Sequence, residues 1–119
     1  MIRASCHCSA VVMEASVRPR SVTSCNCSIC GRLAALWAYY TRRRARLTAG
    51  HEAIVPYLWG DRMIEFYHCR HCGCCTHYES VDKNAGSRFA INARCFAPEE
   101  LAPLRVRHFD GAATWKYLD

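Results

Sequence analysis

Cysteines are the residues of this chain most able to do chemistry, because ten of them occur among 119 residues. Seven of the ten fall into three tight groups. The groups have the spacings C-x-C, C-x-C-x-x-C and C-x-x-C; they are Cys6 and Cys8, then Cys25, Cys27 and Cys30, then Cys69 and Cys72. Such spacing is typical of metal sites, and thiolates are favoured ligands of zinc.

Disulfide bonding is the competing explanation for so many cysteines. Disulfide frameworks belong to oxidising compartments, and a secreted chain needs an apolar signal segment near its start. In "MIRASCHCSA" the first cysteine, Cys6, arrives before such a segment could fit. No apolar run approaches the ~20 residues of a membrane span. We therefore expect a cytoplasmic protein, without a membrane partner, whose reduced cysteines bind metal.

Glycine follows both C-x-x-C pairs, at Gly31 and Gly73. The pattern C-x-x-C-G is typical of a zinc knuckle, in which a turn directs backbone N–H groups at the thiolates. Glycine permits the positive φ that this turn requires, and we expect it at both positions.

Seven thiolates divide naturally into four and three, because a structural zinc site takes four ligands. One division joins Cys6 and Cys8 with the last pair and leaves the C-x-C-x-x-C run as an open site. The other joins the two knuckles, Cys27/Cys30 with Cys69/Cys72, and leaves three cysteines over. Spacing alone favours neither division.

Strand-like runs rich in β-branched and aromatic residues dominate the rest of the chain, which we expect to form one domain over 1–119. Trp59–Arg62 has the composition of a hairpin tip between two of them. One short helix is expected within Ala97–Leu104, because Pro98 suits a first helical position. The strand-like runs are Ala10–Val17, Leu33–Tyr40, Ala53–Trp59, Met63–Cys69 and Arg88–Cys95. This pattern predicts a mainly β fold with little helix, pinned by metal.

The remaining candidate residues favour structural roles. Cys74, Cys75 and Cys95 are expected to be small buried side chains, and the histidines beside the ligands (His7, His68 and His71) to stay outside the metal sites. The basic run Arg42–Arg46 is expected to face water. Five aromatic side chains are expected to pack in the core or on a sheet face and not to form a substrate platform; they are Trp37, Tyr39, Trp59, Phe66 and Trp115.

Five stretches of the sequence together resemble a known family. They are "SCHCSAV", "CNCSIC", "YHCRHCG", "AINAR" at Ala90–Arg94, and the late Trp115. In this order they are similar to the glutathione-dependent formaldehyde-activating enzymes, also called S-(hydroxymethyl)glutathione synthases, whose domain is shared with centromere protein V. The resemblance spans essentially the whole chain.

The resemblance implies an Mss4-like, zinc-stapled β domain with two Zn²⁺ ions, the second of them labile. It implies that Cys6, Cys8, Cys69 and Cys72 hold a structural zinc, and that Cys25, Cys27 and Cys30 hold a catalytic zinc. It further implies a carbon–sulfur lyase that joins a thiol, glutathione, to formaldehyde or another small aldehyde.

Two other functions fit the same residues. One is a non-catalytic, zinc-stapled module that binds nucleic acid or a protein through the arginine run. Its basic charge is weak support, because seven thiolates with two zinc ions would lower the net charge from +6 to about +3. The other is a zinc or redox buffer.

Overall fold

The computed structural model describes residues 1–119, and short strands make up most of the chain. Strands account for 45% and helices for 11% of the residues, so the predicted mainly β fold is confirmed. The strands are β1 (Ile2–Ser5), β2 (Val12–Ala15), β3 (Ser21–Cys25), β4 (Trp37–Thr41), β5 (Ala45–Ala49), β6 (Ile54–Tyr57), β7 (Ile64–Cys69), β8 (Cys75–Ser80), β9 (Arg88–Asn92), β10 (Arg105–Asp110) and β11 (Lys116–Tyr117).

Two short helices complete the fold, α1 (Ser28–Leu33) and α2 (Pro98–Leu101), with a 3₁₀ turn at Ala93–Cys95. Neither helix has the length and apolar character needed to cross a membrane. The helix predicted within Ala97–Leu104 is α2, which begins at Pro98 with two glutamates in its first turn.

The strands form two sheets. The smaller has the order β1-β2-β5, and the larger has the order β11-β10-β3-β4-β9-β8-β7-β6. Neighbouring strands are antiparallel except β10, which lies parallel to β3 over five residue pairs. That parallel pairing brings the end of β10 beside Cys25, the last residue of β3.

Alternation along the strands gives the larger sheet two apolar faces. In β4, Ala38 and Tyr40 point toward the smaller sheet and join the main core with Phe89 of β9. Trp37 points to the opposite face, where it packs with Tyr78 of β8. The larger sheet is therefore covered by the smaller sheet on one face and carries a separate aromatic cluster on the other.

Each predicted strand-like run contains a strand, but the boundaries differ. The run predicted from Leu33 becomes a strand only at Trp37, because Ser28–Leu33 forms helix α1. The predicted hairpin tip Trp59–Arg62 does connect β6 to β7, and Gly60 and Arg62 both adopt a φ of 60°.

Helix α1 was not predicted, and its presence gives Gly31 a backbone conformation different from the expected one. Cys27 caps the helix, since its side chain accepts a hydrogen bond from the N–H of Cys30, and the helix ends at Ala34 in the left-handed region. Gly31 lies inside the helix, so the expectation of a positive φ there is wrong. Gly73 meets that expectation, with a φ of 77°.

Candidate metal centres and the adjoining cavity

Four of the predicted ligands come together where the two sheets meet. Cys6 and Cys8 follow β1 of the smaller sheet, whereas Cys69 ends β7 and Cys72 lies in the turn before β8 of the larger sheet. Their four Sγ atoms all lie within 4.8 Å of one another. This is the first of the two divisions that the spacing left open.

The geometry of this four-cysteine cluster fits a tetrahedral zinc ion. Cys8 Sγ lies 3.7 Å from Cys6 Sγ and 3.6 Å from Cys69 Sγ. With zinc–sulfur bonds of about 2.3 Å, neighbouring sulfurs of a tetrahedron are separated by about 3.8 Å. Backbone N–H groups also point at the sulfurs, from Val11 to Cys6 at 3.3 Å and from His71 to Cys69 at 3.4 Å. The role of these cysteines as zinc ligands stays a prediction.

The other three predicted ligands form a second cluster, on the opposite face of the larger sheet. Cys25 ends β3, Cys27 caps α1, and Cys30 lies in the first turn of α1. Their Sγ atoms lie within 4.8 Å of one another, and no fourth His, Cys, Asp or Glu joins them. The N–H of Cys30 donates to Cys27 Sγ at 3.4 Å, and Trp37 Nε1–H donates to Cys30 Sγ at 3.3 Å.

The pKa values of the three clustered cysteines shift in opposite directions. Burial raises the pKa of Cys25 and raises that of Cys30 further. Burial also acts on Cys27, but hydrogen bonds from the backbone and side chain of Cys30 outweigh it and lower the pKa of Cys27. Cys27 is therefore the easiest of the three thiols to ionise, and its negative charge opposes ionisation of the other two. A bound metal ion removes that penalty, so the donor set fits zinc.

The loop Asp110–Trp115, which we call the closing loop, covers one side of the three-cysteine cluster. Asn26, between two of the cysteines, donates from Nδ2 to Asp110 Oδ1 at 3.1 Å and accepts from the Ala112 N–H at 3.0 Å. A Cβ at Gly111 would lie only 2.7 Å from Cys25 Sγ and 3.1 Å from Cys27 Cβ. The loop can approach the cluster this closely only because residue 111 has no side chain.

A cavity of about 940 Å³, which we call the aromatic cavity, opens beside the three cysteines. Its floor includes Trp37 and Tyr78, whose ring centroids are 4.8 Å apart. Further aromatic side chains line the walls; they are Tyr39, Trp59, Phe66, Phe109, Trp115 and Tyr117. A smaller depression of about 500 Å³ on the three-stranded sheet contains no cysteine. Of these two cavities, only the aromatic cavity is lined by cysteines.

The other candidate residues take varied positions. No histidine joins either cysteine cluster. Cys74, Cys75 and Cys95 also lie outside both clusters and are partly buried against apolar neighbours. Within the basic run Arg42–Arg46, Arg42 forms an ion pair with Glu79, and the other arginines are exposed.

Of the five aromatic residues expected in the core or on a sheet face, Trp37 and Phe66 are buried in the core. Tyr39, Trp59 and Trp115 are 37%, 45% and 71% exposed, and all three line the cavity. The sequence did not predict the cavity that these three side chains line. Nothing local in the sequence distinguishes a cavity wall from a core, because the distinction depends on which strands neighbour each other.

The family model for glutathione-dependent formaldehyde-activating enzymes matches residues 1–109. The chain belongs to this family. The resemblance drawn from the cysteine motifs is thereby confirmed, and the family match includes all seven clustered cysteines. The whole closing loop lies beyond the matched residues.

The fold is also similar to a crystal structure of a Rhodobacter sphaeroides protein solved as a structural genomics target. The two chains share 25% sequence identity with a TM-score of 0.71, and the match covers 88% of this chain and 99% of the other. None of the curated proteins matches the sequence.

Proposed function

We propose that this protein is a zinc-dependent carbon–sulfur lyase-type enzyme that joins a thiol reversibly to formaldehyde or another small aldehyde. The thiol that the family description names is glutathione. One observation carries the proposal: three cysteine sulfurs lie together at the edge of a large cavity, with no fourth protein ligand. Catalytic zinc sites keep such a position open, whereas structural sites are closed by four protein ligands.

The proposed function requires two zinc ions per chain. Cys6, Cys8, Cys69 and Cys72 would hold a structural zinc, and Cys25, Cys27 and Cys30 would hold a catalytic, more labile zinc. At the second site the metal would supply ionisation of a thiol that enters its open position. The reaction forms a bond between the thiol sulfur and the carbonyl carbon. The C=O π bond breaks, and the proton lost by the thiol ends on the oxygen, giving a hemithioacetal.

The protein's own side chains would position the reactants. Hydrogen bonds from the Cys30 N–H and from Trp37 Nε1–H hold the cysteine sulfurs in place. Burial raises the pKa of Tyr39 and of Tyr78, so both phenols stay protonated at neutral pH. A protonated phenol in the cavity can donate a hydrogen bond to a carbonyl oxygen.

Cys27→Ser is the sharpest test of this function. Serine is a good N-cap, so helix α1 keeps its cap while the cluster loses one sulfur. We expect the bound zinc to fall from two ions to one per chain, with folding retained and hemithioacetal turnover lost. Cys95→Ser is the matched control, because Cys95 lies outside both clusters, and it should keep both ions and the activity.

Zinc per chain would be measured by elemental analysis and turnover by NMR exchange between formaldehyde and its thiol adduct. Unfolding of Cys27→Ser would mean that the cluster is structural. Unchanged turnover in a folded Cys27→Ser variant would exclude the proposed catalytic site.

A further inference from the structure

The charges of the aromatic cavity are few and placed far apart in the sequence. Arg88 is the one basic residue and Asp61 the one acidic residue among those that line it. Asp61 lies at the exposed hairpin tip, where its carboxylate accepts a hydrogen bond from the Met63 N–H at 3.1 Å. Arg88 forms no ion pair with any carboxylate of the chain. The cavity therefore offers one unpaired cation to a ligand.

The guanidinium of Arg88 is held in place by two tyrosines. Its Cζ lies 4.3 Å from the centroid of the Tyr39 ring, and its Nη1 donates to Tyr78 Oη at 3.4 Å. A guanidinium stacked on an aromatic ring keeps its outer N–H groups free for a carboxylate. Arg88 is exposed, and these two contacts orient its guanidinium beside the cavity, where it can pair with a single carboxylate.

A chain of contacts connects Arg88 to the three-cysteine cluster. Arg88 contacts Tyr78, the Tyr78 ring packs edge-on against Trp37, and Trp37 Nε1–H donates to Cys30 Sγ. The surface between the two ends is aromatic. A ligand that reached both would have a flat apolar body between its sulfur and its carboxylate.

Glutathione matches this cavity poorly. The tripeptide carries two carboxylates, an ammonium group and two amides, and burying polar groups without partners is costly. Arg88 can pair with one of its carboxylates and Asp61 with its ammonium group, but no second basic residue lines the cavity for the other carboxylate. The cavity volume of about 940 Å³ is far larger than formaldehyde requires, so the cavity has room for the body of a larger thiol.

We propose that the preferred thiol of this chain is a thiol that carries an aromatic ring and a single carboxylate, with its ring in the aromatic cavity and its carboxylate on Arg88. The inference rests on the proposed function, since it takes the three-cysteine cluster as the site that receives the sulfur. It specifies the thiol substrate of that function, which here is not glutathione.

Ligand binding to the zinc-loaded chain tests the proposal. All three tryptophans line the cavity, so tryptophan fluorescence reports its occupation directly. The probes are para-(mercaptomethyl)benzoate, its methyl ester and glutathione. We expect the acid to bind about tenfold tighter than either the ester or glutathione, the range for a charge-assisted hydrogen bond. The comparison of acid with ester uses the unmodified chain and does not depend on any variant folding.

Arg88→Gln should remove the preference for the acid over the ester. Arg43→Gln, at an exposed arginine outside the cavity, should leave the preference intact. Equal binding of acid and ester to the unmodified chain, or tighter binding of glutathione than of the acid, would overturn the proposal.

A probe without sulfur separates this inference from the proposed function. para-Methylbenzoate should still occupy the cavity with Arg88-dependent affinity, although more weakly. If it does so and no thiol adduct turns over, the proposed function fails and the carboxylate site stands. If glutathione turns over and neither benzoate shows dependence on Arg88, the function stands and the inference fails.

Discussion

Gly111→Ala should weaken metal binding at the three-cysteine cluster while leaving the four-cysteine cluster intact. The added methyl group would lie 2.7 Å from Cys25 Sγ and 3.1 Å from Cys27 Cβ. Ordinary contacts between such atoms begin at about 3.4 Å, so the sulfur and the closing loop must separate by about 0.7 Å. Because Asn26 ties the loop to the cluster by hydrogen bonds, the strain acts on the ligands themselves.

Overpacking of this kind costs about 1–3 kcal/mol. If most of that strain is relieved when the metal leaves, affinity at the three-cysteine cluster should fall by roughly tenfold to a hundredfold. The four-cysteine cluster lies on the other side of the larger sheet and shares no residue with the loop, so its affinity should not change.

Competition with a chromophoric zinc chelator measures both affinities in one titration. Gly86→Ala is the matched control, because a Cβ there would meet only Asn84 Oδ1 at 3.6 Å, an ordinary contact. Unchanged affinity of the weaker zinc in Gly111→Ala would refute the steric argument. Loss of both zinc ions would show that the substitution disrupts the fold and not the site.

Two further predictions concern stability and metal content. Cys72→Ser should release the metal of the four-cysteine cluster and lower the midpoint of thermal unfolding. Cys74→Ser, two residues away, should retain the metal in elemental analysis. Equal metal content in both variants would contradict the assignment of Cys72 as a ligand. Burial lowers the pKa of His77, although Glu79 opposes this, so below about pH 6.5 the unfolded chain binds a proton that the folded chain does not. The free energy of unfolding in urea should therefore fall as the pH is lowered from about 7 to about 5, and it should fall less steeply in His77→Gln. An equal fall in the unmodified chain and in the variant would count against a buried neutral histidine.

The local part of the candidate site was predictable from the sequence because its ligands are close together in the chain. A C-x-C or C-x-x-C motif brings two sulfurs to one metal with little help from the rest of the fold. The division of the seven cysteines into four and three was not predictable from their spacing. It depends on a contact between the end of β7 and the loop after β1, which are about sixty positions apart in the chain. The family resemblance supplied that pairing, and the spacing did not.

The features that escaped prediction are those that depend on tertiary contacts. Helix α1 has six residues, too few to show apolar periodicity, and its cap is a cysteine side chain. The dipeptide Asp110-Gly111 signals a turn, but the close approach of Gly111 to the cysteines comes from the parallel pairing of β10 with β3, which the sequence does not show. Arg88 begins a strand and becomes a cavity residue only because β9 lies between β4 and β8.

The two faces of the larger sheet explain why one cluster has four sulfurs and the other three. The four-cysteine cluster joins the smaller sheet to the larger one, so both sides of it are occupied by protein and each side contributes two ligands. The three-cysteine cluster lies on the face that no second sheet covers, and all its ligands come from β3 and α1. What faces it across the open side is the aromatic cavity, so the absence of a fourth cysteine is a property of the architecture.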